Sequence, residues 1–231
     1  MLFTSKAVFF DIDGTLIVAP GSGREALARA TAATFRRDLE QCRQRLGEVD
    51  FRGATDGTIV ARYGELLELP LLGDARLVAA YLDALDEVLD ETEVTLLPGV
   101  EALLEALGGR HHTHFGLLTG NIREAARRKL ARVGLDHLVD HIGAFGDDGH
   151  DRTEIVAAAL EQSGAVGAKP WATLIVGDSP RDIQAAHHWG APAVAVATGW
   201  NSRAELAACG PQLLLDNLAE AGPLLNLLDG I

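Results

Sequence analysis

Two carboxylates directly follow an apolar run near the start of the sequence. Residues 7–10 are all apolar, and the chain continues with Asp11, Ile12, Asp13 and Gly14. Side chains two positions apart in extended backbone point to the same side, so both carboxylates can face one point. Like charges repel, and a buried carboxylate is costly unless a cation pairs with it. The pair therefore predicts a cation at the end of this strand.

A second predicted strand end combines a hydroxyl group with the start of a helix. Thr119, Gly120 and Asn121 follow the largely apolar segment HFGLL, residues 114–118. Asn121, with Glu124 three residues later, is typical of a helix cap of the capping-box type. Free backbone amides and a hydroxyl at a helix N-terminus also suit an anion, so this turn is a candidate anion site.

A third strand end leaves one carboxylate that helix capping does not explain. In the segment VGDSPRD, residues 176–182, Ser179 is the expected N-cap and Asp182 the acid in the first helical turn. Asp178 precedes that cap. If the strands are parallel, Asp11, Asp13 and Asp178 lie along one sheet edge, and their oxygens are the ligands that Mg²⁺ prefers.

Apolar runs alternate with helical patterns over most of the chain, which predicts an α/β fold: a parallel sheet with helices on both faces. Ligands in such sheets bind at the carboxyl ends of the strands. The predicted strands are residues 7–10, 114–118, 141–145, 173–176 and 193–197, and the predicted helices are 122–133, 153–163, 181–189 and 202–208. Residues 19–91 contain helical patterns without a convincing strand. We therefore predict a core of residues 1–18 and 92–231, with a helical unit inserted at 19–91.

Composition narrows the function classes. The chain has 231 residues, 48% of them hydrophobic, and a net charge of −13, which argues against non-specific binding to nucleic acid or anionic membranes. Its two cysteines, Cys42 and Cys209, form no CxxC pair, which argues against a disulfide framework and against a thiolate zinc site. This cysteine usage is typical of proteins in a reducing compartment. The sequence shows neither a signal-peptide pattern nor an apolar run of about twenty residues. We expect a cytoplasmic protein that acts on a small molecule.

The segments FFDIDGTL, LLTGN and VGDSPRD, in this order, resemble the signature motifs of the haloacid dehalogenase-like hydrolase superfamily. The resemblance covers the predicted core. The helical insert resembles the α-helical cap of the phosphoglycolate phosphatase and β-phosphoglucomutase branch. The resemblance implies a Rossmann-like core and the Mg²⁺-dependent hydrolysis of a small phosphorylated metabolite.

The same resemblance implies roles for the aspartates. Asp11 would be the nucleophile that forms an aspartyl-phosphate, and Asp13 would protonate the leaving oxygen and then deprotonate the attacking water. Mg²⁺ would be bound by the carboxylates of Asp11 and Asp178 and by the backbone carbonyl of Asp13. Asp182, with Ser179, would support the metal or a basic residue.

The resemblance also implies a phosphate site. Thr119 would hydrogen-bond the transferring phosphoryl group, together with Gly120, Asn121 and a basic residue. Lys169 lies only nine residues before Asp178, which leaves no room for a helix between them. Arg152 lies 26 residues before Asp178, which suits a helix, a turn and a strand, so we predict Arg152 as the basic residue. An arginine at a helix N-terminus interacts unfavourably with the helix dipole, so a purely structural role would favour an acid there. A nearby anion that pairs with Arg152 would explain the presence of an arginine at this position.

The segment FRGATDGT, residues 51–58, has two interpretations. It is either a helix–helix loop with Asp56 as N-cap or a substrate-specificity loop in which Arg52, Thr55 and Asp56 face the core. Arg52 could then meet an anionic group of the substrate. Trp200, beyond the last predicted strand, is expected to pack rather than bind.

Three other functions compete with a phosphatase. A phosphomutase shares the core and differs in the acceptor of the phosphoryl group. A haloacid dehalogenase would use no metal and would lack the second aspartate of the first motif, whereas Asp13 is present. A non-catalytic binding protein on this fold would have lost Asp11 or Asp13, and neither is lost.

Overall fold

A six-stranded parallel sheet forms the centre of the molecule. The computed structural model describes residues 5–231, so residues 1–4 of the predicted core lie outside the described range. The sheet order is β5-β4-β1-β6-β7-β8, and each neighbouring pair is parallel. The strands in chain order are β1 Ser5–Phe10, β2 Ile17–Val18, β3 Thr95–Leu96, β4 Thr113–Leu118, β5 Gly143–Ala144, β6 Ala168–Gly177, β7 Ala193–Val196 and β8 Leu213–Leu215. The predicted α/β fold is confirmed.

Helices cover both faces of this sheet. They are α1 Ser22–Phe35, α2 Leu39–Leu46, α3 Asp56–Leu67, α4 Ala75–Glu91, α5 Val100–Gly108, α6 Arg123–Ala131, α7 Arg152–Ala165, α8 Pro180–His188, α9 Arg203–Ala208 and α10 Ala221–Gly230, with a 3₁₀ helix at Asp136–Asp140. Phe10 of β1 lies in one apolar core with residues of α5 and α10, and Phe9 lies in the other with residues of α7 and α8. This two-sided burial explains why the strands are continuously apolar. Among the helices of residues 5–231, none is long and apolar enough to cross a membrane.

The helices α1 to α4 lie between β2 and β3 and have an apolar core of their own. Ala26, Tyr63 and Leu85 are fully buried in it. At the base of the insert, β2 and β3 pair antiparallel, with Ile17 opposite Leu96. We propose that the inserted cap begins and ends at this pair, close to residues 19 and 91.

Several elements differ from the sequence-based expectation. The strand predicted at 141–145 is only Gly143–Ala144, and two residues separate it from the 3₁₀ helix that ends at Asp140. The strand predicted at 173–176 begins earlier, at Ala168, where it pairs with Ser5 before a register shift. The short strands β2, β3 and β8 and the helices α5 and α10 were not predicted.

Candidate active site

Polar side chains at the ends of β1, β4 and β6 meet at one edge of the sheet, because these strands are parallel neighbours. Asp11 follows β1, Thr119 follows β4 and Asp178 follows β6; their exposed fractions are 7%, 0% and 5%. A cavity of about 930 Å³ lies between this edge and the insert. The predicted site residues that line it are Asp11, Asp13, Arg52, Asp56, Thr119, Gly120, Asn121, Arg152 and Asp178.

Three buried carboxylates cluster at this edge. Oxygen atoms of Asp11, Asp178 and Asp182 lie within 4.8 Å of one another. Burial raises the pKa of Asp11 to about 6, although the charge of Arg152 opposes the change. Burial also raises the pKa of Asp178 well above its usual range, and the charges of Asp11 and Asp182 add to that shift. A further positive charge would lower the free energy of the ionised cluster.

Within residues 5–231, Arg152 is the cation that this cluster contacts. It is the first residue of α7, after the N-cap Asp151, and it is 5% exposed. Its Nη2 lies 2.9 Å from Asp11 Oδ1, and its Nε donates to Asp182 Oδ1 at 2.6 Å. Lys169 is exposed at the start of β6, at the opposite end of that strand from Asp178.

The oxygens of Asp182 are already engaged by the protein. Oδ1 faces Arg152, and Oδ2 accepts hydrogen bonds from the backbone N of Ser179 at 3.1 Å and from its Oγ at 2.7 Å. Ser179 caps α8 through a capping box with Asp182. Neither Ser179 nor Asp182 lines the cavity, so Asp11 and Asp178 are the members of the acidic cluster that face it.

The loop after β7 packs directly on the carboxylate of Asp178. A Cβ atom at Gly199 would lie 1.6 Å from Asp178 Oδ2, so only glycine permits this approach. From the same loop, Asn201 Nδ2 donates to the backbone oxygen of Asp178 at 3.2 Å. These contacts fix the position of a carboxylate that has no protein cation of its own among residues 5–231.

Asp13 is held by a buried lysine that the sequence analysis missed. Lys129 Nζ lies 2.7 Å from Asp13 Oδ2 and 3.0 Å from Oδ1, and it donates to Asn121 Oδ1 at 2.8 Å. Asn121 Nδ2 in turn donates to Asp13 Oδ2 at 2.7 Å. The side chain of Lys129 is 6% exposed, while that of Asp13 is 40% exposed and faces the cavity.

The expected helix cap at Asn121 is wrong. Helix α6 begins at Arg123, and its N-cap residue, Ile122, has no side-chain cap. The first amides are instead bound by distant carboxylates: Ile122 N donates to Asp56 Oδ2 at 2.8 Å and Arg123 N to Asp147 Oδ2 at 2.6 Å. Because other residues satisfy these amides, Asn121 is free to bind Asp13 and Lys129.

Thr119 and Gly120 have separate surroundings. Thr119 Oγ1 accepts from Asn121 N at 3.2 Å and from Asn121 Nδ2 at 2.8 Å, which fixes the hydroxyl at the cavity wall. Gly120 O accepts from the backbone N of Asp56 at 2.8 Å. A Cβ at Gly120 would lie 2.2 Å from Ala54 O, so a side chain there would push the insert off the core.

The segment 51–58 joins the insert to the core. The N-cap of α3 is Thr55 and not Asp56, and Thr55 Oγ1 also donates to His150 O at 2.7 Å. Thr55 is buried and does not line the cavity, whereas Arg52 and Asp56 do. The side chain of Arg52 is 52% exposed and pairs with Asp50 at 2.9 Å.

One signal in the sequence could have identified Lys129. It lies on the same helical stripe as Ala125, Ala126 and Leu130, all of which are fully buried. A lysine in an apolar stripe needs a buried partner, because an unpaired charge is costly there. Arg127, Arg128 and Arg132 lie close to it in the sequence, so positive charge alone does not distinguish Lys129 from its more exposed neighbours.

Comparisons with known proteins agree with this geometry. Residues 5–190 match the haloacid dehalogenase-like hydrolases. The chain is 33% identical to the phosphoglycolate phosphatase of Synechococcus elongatus, and the match covers 91% of this chain and 92% of that protein. It is 31% identical to the phosphoglycolate phosphatase of Rhodospirillum rubrum, and that match covers 94% of this chain and 89% of that protein. The crystal structure of a hydrolase from Pseudomonas syringae has the same fold, with a TM-score of 0.70 and 22% sequence identity. The superposition covers 98% of this chain and 99% of that one. The chain belongs to the haloacid dehalogenase-like hydrolase family.

Proposed function

We propose that this protein is a Mg²⁺-dependent phosphatase that hydrolyses a small phosphomonoester through an aspartyl-phosphate on Asp11. The observation that carries the proposal is the position of Asp11, whose carboxylate faces the cavity between Asp178 and Arg152. Two relatives are named phosphoglycolate phosphatases, which supports the same reaction class and makes phosphoglycolate one candidate substrate.

The donor set suits Mg²⁺. The carboxylates of Asp11 and Asp178 and the backbone carbonyl of Asp13 would hold the ion, since hard oxygen ligands from one or two carboxylates are what Mg²⁺ takes. Burial raises the pKa of the Asp178 carboxyl, and the charges of Asp11 and Asp182 add to the effect, so a cation beside Asp178 would stabilise its ionised form. When bound, the ion supplies positive charge that neutralises the carboxylates and the substrate phosphate.

The residues of the chain divide the phosphoryl transfer between them. A carboxylate oxygen of Asp11 forms a bond to phosphorus while the bond to the leaving-group oxygen breaks, and Asp13 gives that oxygen a proton. Asp13 then takes a proton from water, which attacks the phosphorus, releases inorganic phosphate and restores the Asp11 carboxylate. Arg152 orients Asp11 through its ion pair.

Two side-chain sets support these steps. Thr119, Gly120 and Asn121 line the cavity beside Asp11 and would bind the phosphoryl oxygens together with Arg152. Lys129 and Asn121 hold the carboxylate of Asp13 in place. Positioning and charge neutralisation are the main requirements of phosphoryl transfer, and this arrangement provides both.

The proposal is tested by trapping the covalent intermediate. The protein is mixed with a phosphomonoester labelled in its phosphoryl group, in Mg²⁺ and in EDTA, and quenched in acid. We expect label on the protein and steady phosphate release in Mg²⁺ only. Asp11→Asn should abolish both, because an amide is a poor nucleophile, whereas Asp83→Asn, at an exposed position of α4, should change neither.

Other outcomes identify the competing functions. Near-normal turnover by Asp11→Asn would overturn the aspartyl-phosphate mechanism. Transfer of the label from the protein to a second hydroxyl of a sugar phosphate, rather than to water, would identify a phosphomutase. Release of halide from a haloacid in EDTA would identify a dehalogenase.

A further inference from the structure

The cavity extends from the carboxylates deep into the insert, and its far part is apolar. Its volume of about 930 Å³ is near the upper end of the roughly 300–1,000 Å³ usual for ligand pockets. The side chains that line the far part come from α3, α4 and the loop between them: Ile59, Val60, Leu71, Leu72, Val78 and Tyr81. A two-carbon phosphoester would occupy only the end next to Asp11.

The insert offers few charges to a substrate. Arg24 lines the cavity, but its guanidinium donates to the backbone oxygens of Leu46 at 3.0 Å and Val49 at 3.3 Å and lies over the ring of Phe51. Arg52 pairs with Asp50. Both cations of the insert that line the cavity therefore already have partners.

The cations of the core are likewise engaged. Lys129 binds Asp13 and Asn121, and Arg152 binds Asp11 and Asp182. Each cation among the described residues that line the cavity thus has a protein partner, for which a carboxylate or second phosphate on the leaving group would have to compete. An anionic leaving group would lose hydration and would also have to displace a partner that is already in place, whereas an apolar leaving group gains from burial against this wall.

The rim of the cavity exposes large apolar side chains. The exposed fractions are 59% for Leu72, 42% for Val78 and 80% for Trp200. Trp200 therefore does not pack in the interior, contrary to the sequence-based expectation. An exposed apolar patch that is continuous with a catalytic cavity marks a surface that a ligand covers.

We propose that the substrate is a phosphomonoester of an apolar alcohol, with the phosphoryl group at Asp11 and an alkyl or aryl leaving group along the apolar wall of the insert. This inference rests on the proposed phosphatase function. It separates the protein from an enzyme whose preferred substrate is phosphoglycolate, whose leaving group carries a carboxylate.

A series of alkyl phosphates tests the inference. Ethyl, butyl and hexyl phosphate have leaving groups of similar basicity, so differences in kcat/KM report binding of the chain. Burial of each methylene should raise kcat/KM about three- to fourfold, or about tenfold for each pair. Phosphoglycolate should be hydrolysed with lower kcat/KM than butyl phosphate.

Two neighbouring variants of α4 supply a matched control. Val78 lines the cavity, whereas Ala79 is exposed on the same helix and does not line it. Val78→Asp and Ala79→Asp add the same charge, so long-range repulsion of the phosphate is similar in both. We expect Val78→Asp to lower kcat/KM for hexyl phosphate about tenfold and to change that for ethyl phosphate less than about twofold, while Ala79→Asp changes neither.

The outcomes separate the two proposals. A flat alkyl series, equal effects of both variants, or a preference for phosphoglycolate would overturn the apolar-substrate inference and leave the phosphatase proposal standing. No hydrolysis of any of these esters in Mg²⁺ would overturn the apolar-substrate inference, and the phosphatase proposal would fall with it only if no phosphomonoester leaves label on the protein in the trapping experiment.

Discussion

Lys129 Nζ lies 2.7 Å from Asp13 Oδ2, so a helix that follows β4 holds the second aspartate of the motif that follows β1. The first aspartate, Asp11, has its own cation in Arg152. Each aspartate is thus oriented by a different buried cation from a different helix. The two pairs hold the proposed nucleophile and the proposed proton-transfer group separately, although the residues are only two positions apart in sequence.

Lys129→Met is expected to lower kcat by roughly 10- to 100-fold with little change in KM, because misplacement of a reacting group costs that much without weakening substrate binding. The measurement is steady-state kinetics at saturating Mg²⁺. Lys169→Met is the control, since it also removes one lysine but at an exposed position remote from the cavity. Wild-type kcat in Lys129→Met would show that this ion pair is not needed for catalysis.

Local sequence rules found the carboxylates but not the contacts that orient them. Asp11, Asp178 and Thr119 were predicted because each follows an apolar strand, and parallel strands must bring their ends together. The partner of Lys129 lies 116 residues away in the chain, so no local pattern could name it. The cap predicted at Asn121 failed for the same reason: Asp56, 66 residues from Ile122, supplies the oxygen.

Strands that contain a buried apolar run were predicted well from the sequence, and short, partly exposed strands were not. The strands β1, β4 and β7 are buried on both faces and matched the apolar runs closely. Strand β8 has only three residues, two of them partly exposed, and it exists because it pairs with β7, where Val194 lies opposite Leu213. Such a strand is defined by its neighbour and not by its own pattern.

Arg152→Ala is expected to lower kcat/KM, and the decrease should correspond to a loss of at least about 2–3 kcal/mol of transition-state stabilisation. This is the amount expected when a charge-assisted contact is removed. It also leaves the buried carboxylates of Asp11 and Asp182 without their cation, which destabilises the fold by roughly 3–5 kcal/mol. Arg152→Lys keeps the charge and separates the two effects: it should remain folded and recover part of the activity. Lys169→Ala should leave kcat/KM nearly unchanged, and the reverse pattern would assign the role to Lys169.

Mg²⁺ is expected to raise the thermal stability of the wild-type protein, because an ion that binds only the folded state stabilises it by about 2.7 kcal/mol at 100 times its Kd. Asp178→Asn should abolish the increase in Tm, since it removes one of the two carboxylates of the acidic cluster that face the cavity. Asp216→Asn is a control at an exposed carboxylate. The measurement is Tm in Mg²⁺ and in EDTA without substrate, and an equal shift in all three proteins would place the ion elsewhere.

Asp56 should make the stability of the protein depend on pH. Burial raises the pKa of this carboxyl from 3.8 to about 6, although Lys129 and the amide of Ile122 oppose the change. Between these two pH values the folded state keeps a proton that the unfolded state has released. The free energy of unfolding must therefore fall as the pH rises through this window, by roughly 1–3 kcal/mol for this one group.

Asp56→Asn isolates that contribution, because the amide oxygen can still accept the hydrogen bond from Ile122 N but no longer titrates. Urea unfolding of both proteins at pH 4, 5, 6 and 7 should show the wild type losing stability relative to the variant as the pH rises, with most of the loss between pH 4 and 6 and the remainder complete near pH 7. Parallel curves would mean that Asp56 titrates as an exposed carboxyl. The contact between Asp56 and the start of α6 would then be open in solution, with the insert moved away from the core.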